Sequence, residues 1–251
     1  FWRILKKTKP CDRCLFLIFK HMIRKDKITD IFFDLDHTLW DFEANSAATF
    51  ENILPPFNFP FSSQAFMTVY SPINHAYWKL YRENRITTEE LRFVRLQKTF
   101  ESLGYPQSDE VIHRISDTYI DQLSTHTHLF TGTLGLLEKL QKQYRLHIIT
   151  NGFEQVQQKK IKNAGIADFF EVVLTAEKAG IKKPASAIFK QALAMADSSP
   201  EKALMIGDSY EADIATALAL GMQAIHFNSH EEPLHDNCLV VDSLGAIEEY
   251  L

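Results

Sequence analysis

The stretch Ile31-Phe32-Phe33-Asp34-Leu35 is a short apolar run that closes on acids, the pattern of a buried strand. Residues 43–54 have mixed helical character and end at Pro55-Pro56, followed by the turn-rich aromatic stretch Phe57-Asn58-Phe59-Pro60-Phe61. Residues 62–127 read as helices throughout. Thr87-Thr88-Glu89-Glu90 carries a capping-box signature, and behind it Leu91, Val94, Phe100 and Leu103 form an apolar stripe that stops at Gly104. Ser108 opens another helix, with Val111, Ile112, Ile115, Tyr119 and Leu123 on one face. The rhythm changes after residue 130. Helices over 133–143, 153–164, 185–196 and 211–220 alternate with apolar runs at 146–150, 172–174, 203–207 and 224–227. Strands alternating with helices predict an α/β fold, with a parallel sheet covered on both faces.

Composition adds the class. The chain has 251 residues, 45% hydrophobic and 24% charged, which suits a folded domain with a smaller insert and excludes a disordered chain or a coiled coil. No apolar run approaches the roughly 18 residues that span a bilayer, so no membrane partner is expected. The net charge of −5 is unevenly spread. Residues 1–30 carry nine Lys/Arg against three Asp/Glu, and the rest carries 18 against 29. An acidic body lacks the basic surface that nucleic acid requires. The three cysteines, Cys11, Cys14 and Cys238, make no disulfide framework, and Cys11-x-x-Cys14 has no second ligand pair for zinc. A reducing, cytoplasmic setting follows. Residue 1 is Phe, and from Met22 the chain reads like an ordinary start, so residues 1–21 are expected to lie outside the functional fold.

The chemistry sits at predicted strand ends, where open α/β sheets bind ligands. Asp34 and Asp36 leave the first strand two residues apart. Thr150-Asn151-Gly152 ends a second strand, and Gly207-Asp208 a third, with Asp213 in the first turn of the next helix. Lys182-Lys183-Pro184 opens another helix. Taken singly, each of these is an ordinary turn or helix start. Together they crowd acids that repel one another unless a cation intervenes, and oxygen-only ligands point to Mg²⁺. A metal beside Lys183 and a hydroxyl makes a cradle for a phosphoryl group, and a carboxylate there is placed to attack phosphorus.

These motifs resemble those of the haloacid dehalogenase-like hydrolases: Asp34-Leu35-Asp36-His37-Thr38, Thr150, Lys183-Pro184, and Gly207-Asp208 through Asp213. The likeness covers about residues 28–251. It implies a Rossmann-like core over 28–42 and 128–251, an inserted α-helical cap over 43–127, and a basic extension over 1–27. It also implies roles: Asp34 as nucleophile and metal ligand, and Asp36 as general acid and base with its backbone carbonyl on the metal. Thr150, Asn151 and Lys183 would bind phosphate, Asp208 would bind the metal, and Asp213 would support Lys183 or a metal-bound water. The stretch from Thr38-Leu39-Trp40-Asp41-Phe42 to Ser46 is similar to the YjjG-type pyrimidine 5′-nucleotidases, which implies a nucleotide as the small-molecule partner. Phosphatases of sugar phosphates or phosphoglycolate, phosphomutases and dehalogenases share the core. Dehalogenases need no acid at position 36, and a non-catalytic binding module would have no need of Asp34 and Asp36.

Overall fold

The computed structural model describes residues 23–251. The expected extension over residues 1–21, with Cys11 and Cys14, falls outside the described residues. Within the described part, Ile23 packs against the core and the Arg24 backbone N–H donates to Gln223 Oε1 at 2.7 Å.

Six parallel strands form one sheet: β1 (Asp30–Phe33), β2 (Arg145–Thr150), β3 (Phe170–Thr175), β4 (Ala203–Gly207), β5 (Gln223–Phe227) and β6 (Leu239–Val241), in the spatial order β3-β2-β1-β4-β5-β6. β1 is buried along its whole length because both faces are covered. Ile31 and Phe33 enter one apolar cluster and Phe32 the other, as the two-residue period of a strand requires. Register aligns the strand ends. Phe33 pairs with Ile148 of β2 and with Ile206 of β4, so the residues that follow emerge side by side.

Helices α1 (Phe42–Ile53), α2 (Ser63–Arg82), α3 (Thr88–Ser102) and α4 (Asp109–Leu123) form an insert between β1 and β2. Their starts follow the side-chain caps in the sequence. Asp41, Ser62, Thr87 and Ser108 each accept the backbone N–H three residues on, and Glu90 completes the capping box with Thr87. Within the insert Phe50, Phe66, Tyr70, Phe100 and Tyr119 are buried together, the Phe50 and Tyr119 rings stacked at 4.6 Å, and they join the same apolar cluster as Ile31 and Phe33 of the sheet. At its neck the outgoing and returning chains are stitched together. Asp41 N–H donates to His128 O, Phe130 N–H donates to Leu39 O, and the Asn45 amide donates to the carbonyls of Asp41 and His128.

Four further helices, α5 (Thr133–Leu140), α6 (Glu154–Asn163), α7 (Ser186–Met195) and α8 (Ala215–Ala219), flank the sheet, with a single turn over Ala176–Ala179 after β3. Two details depart from the sequence pattern. The helix expected from residue 211 begins as a wider π-turn over Tyr210–Ile214. β6 and the single turn Leu244–Ile247 beyond it were not foreseen, since three residues carry too little periodicity to show. Among the described residues, no helix is long and apolar enough to cross a membrane.

Candidate active site

The chain leaves β1 at Asp34, whose N–H donates to Ile206 O, so the first motif stays in register with β4 for one more residue. A tight turn follows. Leu39 and Trp40 both donate to Leu35 O, and His37 takes a left-handed φ of 64°. This bend brings Asp34 and Asp36 to one cavity of about 300 Å³, shared with Thr150, Asn151, Lys183, Asp208 and Asp213.

Lys183 stands at its centre. Its ammonium donates to Asp34 Oδ1 at 2.5 Å and to Asp213 Oδ1 at 2.6 Å. Its backbone is clamped by Asn151, whose Oδ1 accepts from Lys183 N–H and whose Nδ2 donates to Lys183 O. The Asn151 amide is therefore spent on placing Lys183. Asp213 reaches back over Gly207, where a Cβ would stand 2.5 Å from the Asp213 carboxyl carbon. Gly152 makes the same allowance for Gln157, whose side-chain amide carbon would lie 2.3 Å from an added Cβ. Thr150 Oγ1 accepts from Gly152 N–H and from Gln157 Nε2.

The electrostatics follow from burial. Asp34, Asp208 and Asp213 have carboxylate oxygens within 4.8 Å of one another, and all three residues are buried. Burial pushes the Asp34 carboxyl up to about 7, with the Lys183 ammonium pulling against it and Asp213 adding to it. Burial likewise lifts Asp208 well above the usual carboxylate range, reinforced by Asp34 and Asp213. Burial alone would lower Lys183, but the Asp213 and Asp34 carboxylates outweigh it and raise its pKa. Three acids share one ammonium, so negative charge is in surplus. An all-oxygen donor set with surplus negative charge fits a hard divalent cation such as Mg²⁺.

Asp36 stands apart from the acid cluster. Its carboxylate accepts from Lys160 Nζ at 2.5 Å and from Gln157 Nε2 at 2.9 Å. Lys160 is buried, with its ammonium 4.2 Å from the centre of the Trp40 ring. Sequence reasoning missed both partners. On α6 they lie among the polar residues Gln155, Gln157, Gln158, Lys159 and Lys160, and nothing in that run marks which two face inward. The insert supplies Phe42, Asn74, His75, Trp78 and Arg82 to the same cavity. Among the insert aromatics, Phe50, Phe66 and Tyr70 are core residues, whereas Trp78 lines the cavity.

Residues 31–227 match the family model described as haloacid dehalogenase-like hydrolase. The chain belongs to that family. Among curated haloacid dehalogenase-like relatives, the pyrimidine 5′-nucleotidase YjjG of Escherichia coli is 27% identical over 88% of this chain and 96% of its own. The ribulose-1,5-bisphosphate 5-phosphatase of Halopiger xanaduensis is 30% identical over 81% of this chain and 86% of its own. In solved structures, the HAD-hydrolase YfnB of Bacillus subtilis bound to magnesium superposes with a TM-score of 0.79 at 25% identity, covering 89% of this chain and 98% of that one.

Proposed function

We propose that this phosphomonoester hydrolase works through an aspartyl-phosphate formed on Asp34 and that its substrates are nucleoside monophosphates, pyrimidine nucleotides among them. The carrying observation is the pairing of two unlike carboxylates two residues apart. Asp34 faces Lys183 and the acid cluster, while Asp36 faces Lys160 and Gln157. Unlike surroundings suit unlike roles.

Mg²⁺ would be held by the Asp34 and Asp208 carboxylates and the Asp36 backbone carbonyl, and when bound it neutralises the acids and the incoming phosphoryl charge. An Asp34 carboxylate oxygen attacks phosphorus and the ester P–O bond breaks. Asp36 delivers its proton to the departing alkoxide. Asp36 then takes a proton from water, the water oxygen attacks the same phosphorus, and Asp34 is released with inorganic phosphate. Thr150 and Lys183 bind the phosphoryl oxygens, with the Lys183 ammonium balancing their charge, and Asn151 serves the phosphate through its hold on the Lys183 backbone.

Specificity falls chiefly to the insert, which brings Phe42, Asn74, His75, Trp78 and Arg82 to the cavity wall. Trp78 is the aromatic from the insert helix α2 on the cavity wall, suited to stack on a base. YjjG, named as a pyrimidine 5′-nucleotidase, matches over nearly its whole length. The test is Mg²⁺-dependent phosphate release across nucleoside monophosphates, sugar phosphates and phosphoglycolate. The reading expects the highest kcat/KM for pyrimidine nucleotides, and Trp78→Ala lowering that value while sparing a small aryl phosphate. A preference for sugar phosphates over every nucleotide would overturn the nucleotidase reading and leave the phosphatase.

A further inference from the structure

Three imidazoles meet in the lining of this cavity. His37, His75 and His230 bring one nitrogen each to within 4.8 Å of the others. Their ring centres are 4.2 Å apart for His37 and His230, 4.8 Å for His75 and His230, and 5.2 Å for His37 and His75. They come from three separate segments, namely the turn after β1, helix α2 and the loop after β5.

The cluster is held from outside. The Ser229 hydroxyl donates to His37 O at 2.8 Å, which ties the loop carrying His230 to the turn carrying His37. Asn228 fixes that loop by accepting from Glu232 N–H at 2.7 Å and donating to Glu232 O at 2.9 Å. Glu43 stands 3.7 Å from His75 Nε2, and the Ser71 hydroxyl orients Glu43. His230 Nε2 is buried and makes no hydrogen bond, with Asp208 Oδ2 3.5 Å away.

We propose that His37, His75 and His230 form a binding site for a borderline transition ion such as Zn²⁺, built from other ligands than the carboxylate cluster, bordering it at Asp208 and opening onto the same cavity. Imidazole nitrogens favour Zn²⁺ and Co²⁺ over the hard Mg²⁺ that the carboxylates suit. A carboxylate behind a ligating histidine is the usual outer partner, the place Glu43 holds beside His75. Three protein ligands leave a fourth position facing the cavity, the arrangement of an open site. Zn–N bonds of about 2.0–2.1 Å require the nitrogens to draw inward. His75, whose side chain is 44% exposed, has the freedom to do so. The proposal rests on the imidazoles and stands apart from the phosphatase reading.

The test uses untagged protein with Cys11 and Cys14 replaced by serine, so that the Cys-x-x-Cys pair does not count, the remaining Cys238 being buried. The chain is stripped of metal, saturated with Mg²⁺ and then dialysed against Zn²⁺ or Co²⁺. One Zn²⁺ per chain is expected by elemental analysis, and Co²⁺ should give the intense visible absorption of a low-coordinate site. His75→Ala and His230→Ala should each abolish Zn²⁺ retention, and Glu43→Gln should weaken affinity about 10–100-fold. Asp34→Asn should retain the zinc. Mg²⁺-dependent thermal stabilisation of the histidine variants confirms that they fold. Zinc content that the histidine substitutions leave unchanged, or no zinc retained in the presence of Mg²⁺, would overturn the site.

Discussion

Lys160 sets its ammonium 2.5 Å from Asp36 Oδ1, with the face of Trp40 beneath it. A buried lysine supplied by α6 thus holds the second carboxylate of the first motif, while a different lysine holds the first. Burial lowers the Lys160 pKa, and the Asp36 carboxylate restores part of the loss. Charge and position are coupled here, because neither group has another strong ionic partner within hydrogen-bond reach among the described residues.

Lys160→Met should therefore leave Asp36 held by Gln157 alone, and kcat should fall about 10²-fold, the usual consequence of a misplaced catalytic group. Alkyl phosphates should suffer more than aryl phosphates, because their leaving groups need the proton more. Equal losses on both would show that Lys160 serves the fold rather than Asp36.

Asp34→Asn should abolish turnover, since an amide is no nucleophile for this step. Its effect on stability should run the other way. Burial disfavours the charge of the native carboxylate, and the neighbouring Asp213 adds to this crowding against the pull of Lys183. The neutral isostere should raise Tm in Mg²⁺-free buffer, measured by calorimetry, as removal of strained active-site charge often does. A lowered Tm would mean that the Lys183 contact outweighs the crowding.

Gly207→Ala should be destabilising, because its Cβ would stand 2.5 Å from the Asp213 carboxyl carbon. Overpacking of this kind costs about 1–3 kcal/mol. Gly135 in α5 has nothing within 4 Å of an added Cβ, so Gly135→Ala should instead gain about 0.5–1 kcal/mol. Urea midpoints of the two variants moving in the same direction would contradict the packing argument.

At the opposite end of β1, buried His147 stands 3.0 Å from Asp30 Oδ1. Burial lowers the His147 pKa below 6.5, against the pull of Asp30. Between its folded pKa and 6.5 the unfolded chain binds the extra proton, so stability should be lost as pH falls below 6.5. The slope from one such group reaches about 1.4 kcal/mol per pH unit. His147→Phe keeps the packing on Phe32, and it should flatten the stability profile below pH 6.5 in urea titrations. An unchanged slope would place the proton elsewhere.

The sheet core was legible because its signals are local. Ile31 to Phe33 is apolar on both faces, and the acids at 34, 36 and 208 sit where strands run out. Caps such as Thr87 with Glu90 mark helix starts within four residues. The partners of Asp36 were illegible for the opposite reason. Lys160 and Gln157 are chosen by how α6 is rotated against the sheet, and that rotation is a tertiary fact. His37, His75 and His230 are spread over three segments nearly 200 residues apart, and none sits in a spacing that sequence alone reads as a ligand set. The π-turn over Tyr210–Ile214 escaped because a helical pattern does not reveal where its pitch widens, yet it is this turn that carries Asp213 back above Gly207.

The stitched crossing at Asp41, Asn45 and His128 has a consequence for how such a molecule can diversify. The polypeptide departs and comes home at nearly one point, so the sheet sees a short closed connection whatever is spliced beyond it. Lengthening or exchanging the spliced segment adds closure entropy only logarithmically. A graft that keeps Leu39–Asn45 and His128–Thr133 should leave the hydrolytic centre standing while giving it a different reader of leaving groups.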